Sequence, residues 1–180
     1  TYRMTLKPKI TVVGSGYVGM SLAVLLAQHN DVIVYDIDSS RVDKINNNKS
    51  TISDPEIQKF ILDKPLSLTA TNDKKKAYDE ANFIVVATPT DYDETNNQFD
   101  TSSVDSVVKD AINFNSEATV VIKSTIPVNH TISLQQYHNS NRIIFSPEFL
   151  REGRALYDNL YPSRIIIGSQ CDNGKAFADL

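Results

Sequence analysis

The stretch that decides the fold is Lys9-Ile-Thr-Val-Val-Gly14-Ser15-Gly16-Tyr17-Val18-Gly19, followed by an apolar helical run and then Val32-Ile-Val-Tyr-Asp36. An apolar strand enters a G-x-G-x-x-G turn, a helix follows, and a second strand ends in an acid. This is the layout of a dinucleotide site. Gly14 lets the chain turn tightly off the strand, Gly16 keeps side chains away from a pyrophosphate, and Gly19 lets the helix pack closely on the sheet. The helix N-terminus then presents unpaired N–H groups and a positive dipole end to the phosphates. Asp36 follows the first glycine by about 20 residues, the spacing of a ribose-binding acid. A carboxylate there accepts from both adenosine ribose hydroxyls and repels the additional phosphate of NADP, so the expected cofactor is NAD. Arg41, five residues on, could receive a phosphate, but Asp36 stands in the way. The alternative reading of Asp36 is a plain strand end that caps the next turn.

Working outward, short apolar runs alternate with helical patterns. Strands are expected at Ile10–Val13, Val32–Tyr35, Leu66–Ala70, Phe83–Ala87, Thr119–Lys123, Arg142–Phe145 and Arg164–Ile167. Helices are expected at Val18–Gln28, Ser39–Asn46, Pro55–Leu62, Lys74–Glu80, Ser103–Asn113, Asn129–Tyr137 and Arg151–Tyr157. Such alternation implies βαβ units, and strands apolar along their whole length imply helices on both sheet faces. The expected fold is therefore α/β: a Rossmann-like, doubly wound, mostly parallel sheet binding ligands beyond the carboxyl ends of its strands. The polar segment Asp91–Asp100 reads as a surface loop.

The chain has 180 residues, 41% hydrophobic and 22% charged, with a net charge of −4. That length suits one well-buried domain, here residues 9–180 behind a flexible leader at 1–8. The acidic balance, with no basic stripe interleaved with aromatics, argues against nucleic acid as a partner. With no long apolar span and no signal peptide, neither a membrane nor secretion is expected; the single cysteine, Cys171, fits a reducing cytoplasm. No metal is expected, because His29, His130 and His138 lack ligand spacing with cysteines or carboxylates, and none of the three is given a role. The chain stops within a helical pattern that opens near Asn173, which points to a fragment of something longer.

Residues just after the strands should carry function, and hydroxyls and carboxylates gather there: Thr88-Pro89-Thr90, Ser124-Thr125-Ile-Pro127 and Ser146-Pro-Glu148-Phe149-Leu150-Arg151-Glu152. Turn chemistry explains each alone; their joint occurrence on one edge points to a site. With the glycine turn, the strings Ala87-Thr-Pro-Thr90, Lys123-Ser-Thr-Ile-Pro127 and Ser146-Pro-Glu-Phe-Leu-Arg-Glu-Gly153 resemble the UDP-glucose/GDP-mannose dehydrogenases. The continuation Ala155–Arg164 is most similar to the bacterial UDP-glucose 6-dehydrogenase branch. The resemblance runs from about Lys9 to Gly168.

It implies a homodimeric enzyme that oxidises the C6 alcohol of a nucleotide sugar, UDP-glucose here, to a carboxylate with two NAD through a cysteine-bound thioester. It further implies that Val18 and the glycine turn line the pyrophosphate, that Asp36 holds the ribose, and that Arg41 lies on the adenine side. Thr88, Pro89, Thr90 and Thr125 would approach the cofactor. Glu148, Phe149, Leu150, Arg151 and Glu152 would line the sugar-nucleotide site. The reaction itself needs acid–base groups. Glu148 and Glu152, on one helix face at i, i+4 and beside apolar Phe149, suit pKa tuning. Glu148 is assigned the acid–base role, Thr125 holds the catalytic water, and Glu152 sits near the cofactor and Thr125. The alternative for the two glutamates is capping of a helix near Arg151.

The family's nucleophile lies in a Cys-x-Pro-Lys-Asp motif absent here; Cys171 reads as a free structural or surface thiol. The chain alone is thus expected to bind NAD without turnover. Asn129 stands where the family has glycine, and asparagine tolerates the left-handed backbone better than most residues. Competing readings are a dehydrogenase of GDP-mannose or UDP-N-acetylmannosamine, a stand-alone NAD-binding module, and an unrelated Rossmann reductase.

Overall fold

The structure, a computed structural model, describes residues 7–147, 167 and 172–180. Six strands form one parallel sheet: β1 (Lys9–Val13), β2 (Asp31–Tyr35), β3 (Leu68–Thr71), β4 (Phe83–Val86), β7 (Thr119–Ile122) and β8 (Ile143–Phe145). Their spatial order is β3-β2-β1-β4-β7-β8, so the order reverses between β1 and β4 and opens a crevice at their carboxyl ends. The helices are α1 (Tyr17–Leu26), α2 (Ser39–Asn46), α3 (Pro55–Asp63), α4 (Lys74–Tyr78), α5 (Ser102–Phe114), α6 (His130–His138) and α7 (Asp172–Ala178).

Strand alternation divides the apolar residues into two cores. Ile10, Val12, Val32, Val34, Val121 and Ile144 pack with α1, α3 and Phe177 of α7. Val13, Tyr35, Ile84, Val86, Val120 and Ile143 pack with α4, α5 and α6 on the opposite face. Central strands buried on both faces need helices on both sides, which explains their unbroken apolar runs.

Local signals fix where helices start. Asp38 accepts from the Ser40 amide at 2.9 Å, and Asp54 accepts from the amides of Glu56 and Ile57, with Pro55 in the first turn. Asp73 accepts from the amides of Lys75 and Lys76. Each cap satisfies donors that a helix leaves unpaired. At α1 the N-cap is Gly16, with no side-chain cap bond.

Every expected strand and helix within the described residues is present, with ends shifted by up to two residues. The helix expected at Arg151–Tyr157 lies outside the described residues, as does the strand at Arg164–Ile167 apart from Ile167. The expected leader is described only at Lys7 and Pro8, and Cys171 is outside as well.

One expectation is corrected. Asp91–Asp100 is an antiparallel hairpin, β5 (Asp91–Asp93) and β6 (Gln98–Asp100), with Tyr92 opposite Phe99. The two rings lie 5.0 Å apart, and Asn97 turns the chain at φ 52°. A cross-strand aromatic pair stabilises a ribbon that polar composition alone conceals. Asn129 does adopt the left-handed conformation, at φ 70°.

Candidate functional site

The glycine turn is built by close approach. Gly14 has φ 101°, and a Cβ there would fall 2.6 Å from the Ala87 carbonyl oxygen. A Cβ on Gly19 would fall 1.9 Å from the Gly14 carbonyl oxygen, so α1 rests directly on the turn. Around Gly16 a Cβ would meet nothing within 4 Å. Two glycines are thus required by the protein's own packing, whereas the third borders open space at the uncapped start of α1.

Asp36, just beyond β2, faces this turn. Its Oδ2 accepts from the Ser15 amide at 3.2 Å and from Ser15 Oγ at 2.5 Å, while Oδ1 accepts from the Asp38 amide at 2.9 Å. A carboxylate has about four lone-pair positions, so capacity for a ribose hydroxyl remains. Arg41 Nη1 donates to Ser15 Oγ at 3.3 Å, and its Nε lies 3.9 Å from Asp38. Arg41 therefore stands beside the turn and the acid together.

Thr51, which the sequence reading passed over, donates from Oγ1 to the Ser15 carbonyl at 2.6 Å. It sits in the irregular segment between α2 and α3, where no periodicity marks it. The residues of this corner fit a dinucleotide: an open cradle at Gly16, uncapped helix donors for a pyrophosphate, and an acid placed for a ribose.

The loop after β4 lies next to Gly14. Ser124 Oγ donates to the Thr88 carbonyl at 2.6 Å and to the Val86 carbonyl at 3.3 Å. Ser103 Oγ donates to the Pro89 carbonyl at 2.7 Å. These bonds tie the Thr88–Thr90 loop to the loop after β7 and to the start of α5. Thr88 Oγ1 is buried without a hydrogen-bond partner. Thr90 is half-buried, and Thr125 is exposed between buried Ser124 and buried Ile126.

His130 is held rather than free: its Nε2 lies 2.6 Å from Asp105 Oδ1, whose other oxygen accepts from Thr101 Oγ1 at 3.0 Å. This joins α6 to α5. His29 is exposed, and His138 packs its ring 4.9 Å from Tyr137.

The structure thus gathers Gly14–Gly19, Asp36 and Arg41 at one corner. Beside Gly14, Ala87 leads into Thr88–Thr90, which is tied in turn to Ser124 and Thr125. Glu148, Phe149, Leu150, Arg151 and Glu152 lie outside the described residues. A recess of about 660 Å³ lies elsewhere, at the amino ends of β1–β3. Its rim carries exposed charges such as the Lys9–Glu80 pair. Ligands of open parallel sheets bind at the opposite edge, so this recess is not the cofactor site.

Residues 8–179 match the UDP-glucose/GDP-mannose dehydrogenase family, NAD binding domain. The chain belongs to this family. Its cofactor is NAD. The chain is 51% identical to the UDP-glucose 6-dehydrogenase of Streptococcus pneumoniae, an alignment covering 96% of this chain and 45% of that protein. It is also 51% identical to the Campylobacter jejuni UDP-glucose 6-dehydrogenase, over 96% of this chain and 44% of the relative. Among solved structures, the GDP-mannose dehydrogenase of Pseudomonas aeruginosa superposes with a TM-score of 0.80 at 27% identity, covering 94% of this chain and 43% of that one. The chain therefore spans a little under half the length of these relatives. The expected Rossmann-like sheet and the expected family are both found. Among the described residues no helix is long and apolar enough to cross a membrane.

Proposed function

We propose that this chain is the NAD-binding half of a UDP-glucose 6-dehydrogenase. The observation that carries the reading is 51% identity to two UDP-glucose 6-dehydrogenases over nearly the whole chain. The overall reaction converts the C6 –CH2OH and one water to –COO⁻, releasing two hydrides and three protons. NAD supplies the hydride acceptor in both oxidations.

The remaining work falls to protein groups. Asp36 and the Gly14–Gly19 turn would hold the dinucleotide, with the remaining acceptor position of the Asp36 carboxylate available to a ribose hydroxyl. Thr125 stands exposed where the chain leaves β7, with a hydroxyl able to hold a water by donating or accepting. Glu148 takes the proton from that water or from the substrate alcohol, and Glu152 positions Thr125 and the cofactor. Phe149, Leu150 and Arg151 contribute to the sugar-nucleotide site. The thioester forms on a cysteine encoded outside these 180 residues. The whole protein works as a cytoplasmic homodimer, with neither membrane nor nucleic acid as partner, and the present chain alone binds NAD without turning over.

The test begins with the coding frame beyond Leu180, where a Cys-x-Pro-Lys-Asp motif is expected within about 200 codons, an ordinary domain length. The protein encoded by the complete frame should form two NADH per UDP-glucose. Oxidation of GDP-mannose or UDP-N-acetylmannosamine in place of UDP-glucose would move it to another branch of the family. A frame that closes without the motif, with no turnover, would leave an NAD-binding module.

A further inference from the structure

Two of the motifs at the carboxyl edge open with residues that touch each other. β7 and β8 run in register, with Ile122 opposite Phe145. The next position on each strand is Lys123 and Ser146, and Lys123 Nζ donates to Ser146 Oγ at 3.1 Å. Both are deeply buried, Lys123 at 7% exposure and Ser146 at 0%. The Phe177 ring of α7 lies 5.8 Å from the ammonium. Backbone bonds hold both ends at this level: Lys123 N donates to the Val86 carbonyl at 2.8 Å, and Ser146 N to the Ile122 carbonyl at 2.9 Å.

A lysine is seldom buried so deeply, because desolvating an ammonium is costly. Packing alone therefore does not explain the charge. Its position does: two residues later comes Thr125, the first exposed residue on that chain, while Ser124 between them is fastened to the Thr88 and Val86 carbonyls. Lys123 and Ser124 grip the departing chain through different partners, one along β8 and one along β4.

We infer that Lys123 is a positioning residue, whose bond to Ser146 sets the spacing between the chains leaving β7 and β8 and thereby the placement of Thr125. This rests on the dehydrogenase reading above. It adds that the lysine of one motif and the first serine of the other form a mechanical pair serving turnover rather than cofactor affinity.

The test uses the protein encoded by the complete frame, assayed first as wild type with UDP-glucose. A wild type that binds NAD but oxidises no nucleotide sugar rejects the dehydrogenase reading, and this inference with it. With an active wild type, four variants decide: Lys123→Met, Lys123→Arg, Ser146→Ala and the Met/Ala double. Lys123→Met should hold the Kd for NAD within about twofold, while kcat falls about tenfold or more, as sub-ångström misplacement of a reacting group entails. Ser146→Ala should lower kcat in the same direction by about three- to tenfold. The double variant should be no slower than Lys123→Met, because the two residues act as one unit. Lys123→Arg, which keeps a charged donor, should recover part of kcat.

The inference is overturned by a Lys123→Met kcat within about twofold of wild type. Losses that multiply in the double variant overturn it too, as does NAD affinity falling in step with kcat. Should Lys123→Met not fold, Ser146→Ala decides alone: an unchanged kcat overturns the pairing, and a lowered kcat with intact NAD binding supports it.

Discussion

Alanine at each of the three turn glycines should give two different outcomes. At Gly16 the backbone φ is −79°, which any residue adopts, and a Cβ would meet nothing within 4 Å. Losing a favourable N-cap glycine costs some tenths of a kcal/mol. Reduced freedom of the unfolded chain returns about 0.4–1 kcal/mol. The two nearly cancel, so Gly16→Ala should melt within about 2 °C of wild type. Its methyl would nevertheless enter the open space proposed for the pyrophosphate. NAD affinity should fall by at least about tenfold, equivalent to 1.4 kcal/mol.

Gly19→Ala reverses this pattern. Alanine improves helix propensity by about 1 kcal/mol, but its Cβ would sit 1.9 Å from a backbone oxygen that no rotamer change can move. The turn and α1 must separate, at an overpacking cost of about 3 kcal/mol or more. Gly14→Ala joins a 2.6 Å clash to a φ of 101° and should be comparably damaging. Differential scanning calorimetry with isothermal titration of NAD reads both quantities. If Gly16→Ala bound NAD as tightly as wild type, the cofactor would not cross the turn where placed here. If it melted as early as Gly19→Ala, the assignment of packing to one glycine and ligand to the other would be wrong.

Three further outcomes are expected. Asp36→Ala removes the acceptor of the Ser15 amide and Ser15 Oγ, which is also the acceptor proposed for the ribose; NAD should bind about tenfold or more weakly and preference over NADP should narrow, whereas an unchanged NAD:NADP ratio would refute the ribose role. Tyr78 is wholly buried between the rings of Tyr35 and Phe114, its hydroxyl lacks a partner, and burial raises its pKa. Tyr78→Phe should therefore stabilise by about 1 kcal/mol in urea titrations. Because the folded pKa is raised, stability is lost as pH climbs past the ordinary tyrosine value near 10, and the variant should lose less there; destabilisation would reveal a bond to that hydroxyl. On the acid side, the Ser40 hydroxyl and amide lower the pKa of Asp38, and bonding to Lys9 lowers that of Glu80. Asn96 does the same for Asp93, and Ser102 for Asp100. Their folded forms hold fewer protons than the unfolded chain, so their stabilisation is present at neutral pH and fades as pH drops below about 4. Melting temperatures from pH 7 down to 3 should fall accordingly, and a flat profile would contradict it.

The frame of the fold was legible because it rests on local signals. The wholly apolar run of β4 and the mostly apolar runs of β1 and β7 report burial on both faces, and the aspartates opening α2, α3 and α4 report helix starts. Gly14, Gly19 and Asp36 were legible for a similar reason, since backbone approach and strand ends constrain residue type at fixed spacing. The Tyr92–Phe99 ribbon was not, because its pairing is hidden among aspartates and asparagines that read as turn. Thr51, the Asp105–His130 pair and the Lys123–Ser146 bond were also hidden. Each joins residues more than twenty positions apart, and nothing in a residue's own neighbourhood announces a distant hydrogen-bond partner.

The strand order has a consequence for synthesis. β1, which carries the glycine turn, is flanked by β2 and β4, and its second neighbour ends only at Val86. At about 5–20 residues per second, roughly 4 to 15 seconds separate the translation of Val13 from that of Val86. During that interval the strand that carries the glycine turn has one apolar edge without its partner. Nascent chains of this protein should therefore be most in need of chaperone cover before β4 emerges, and the ability to bind NAD should arise late, as a step, rather than grow with chain length.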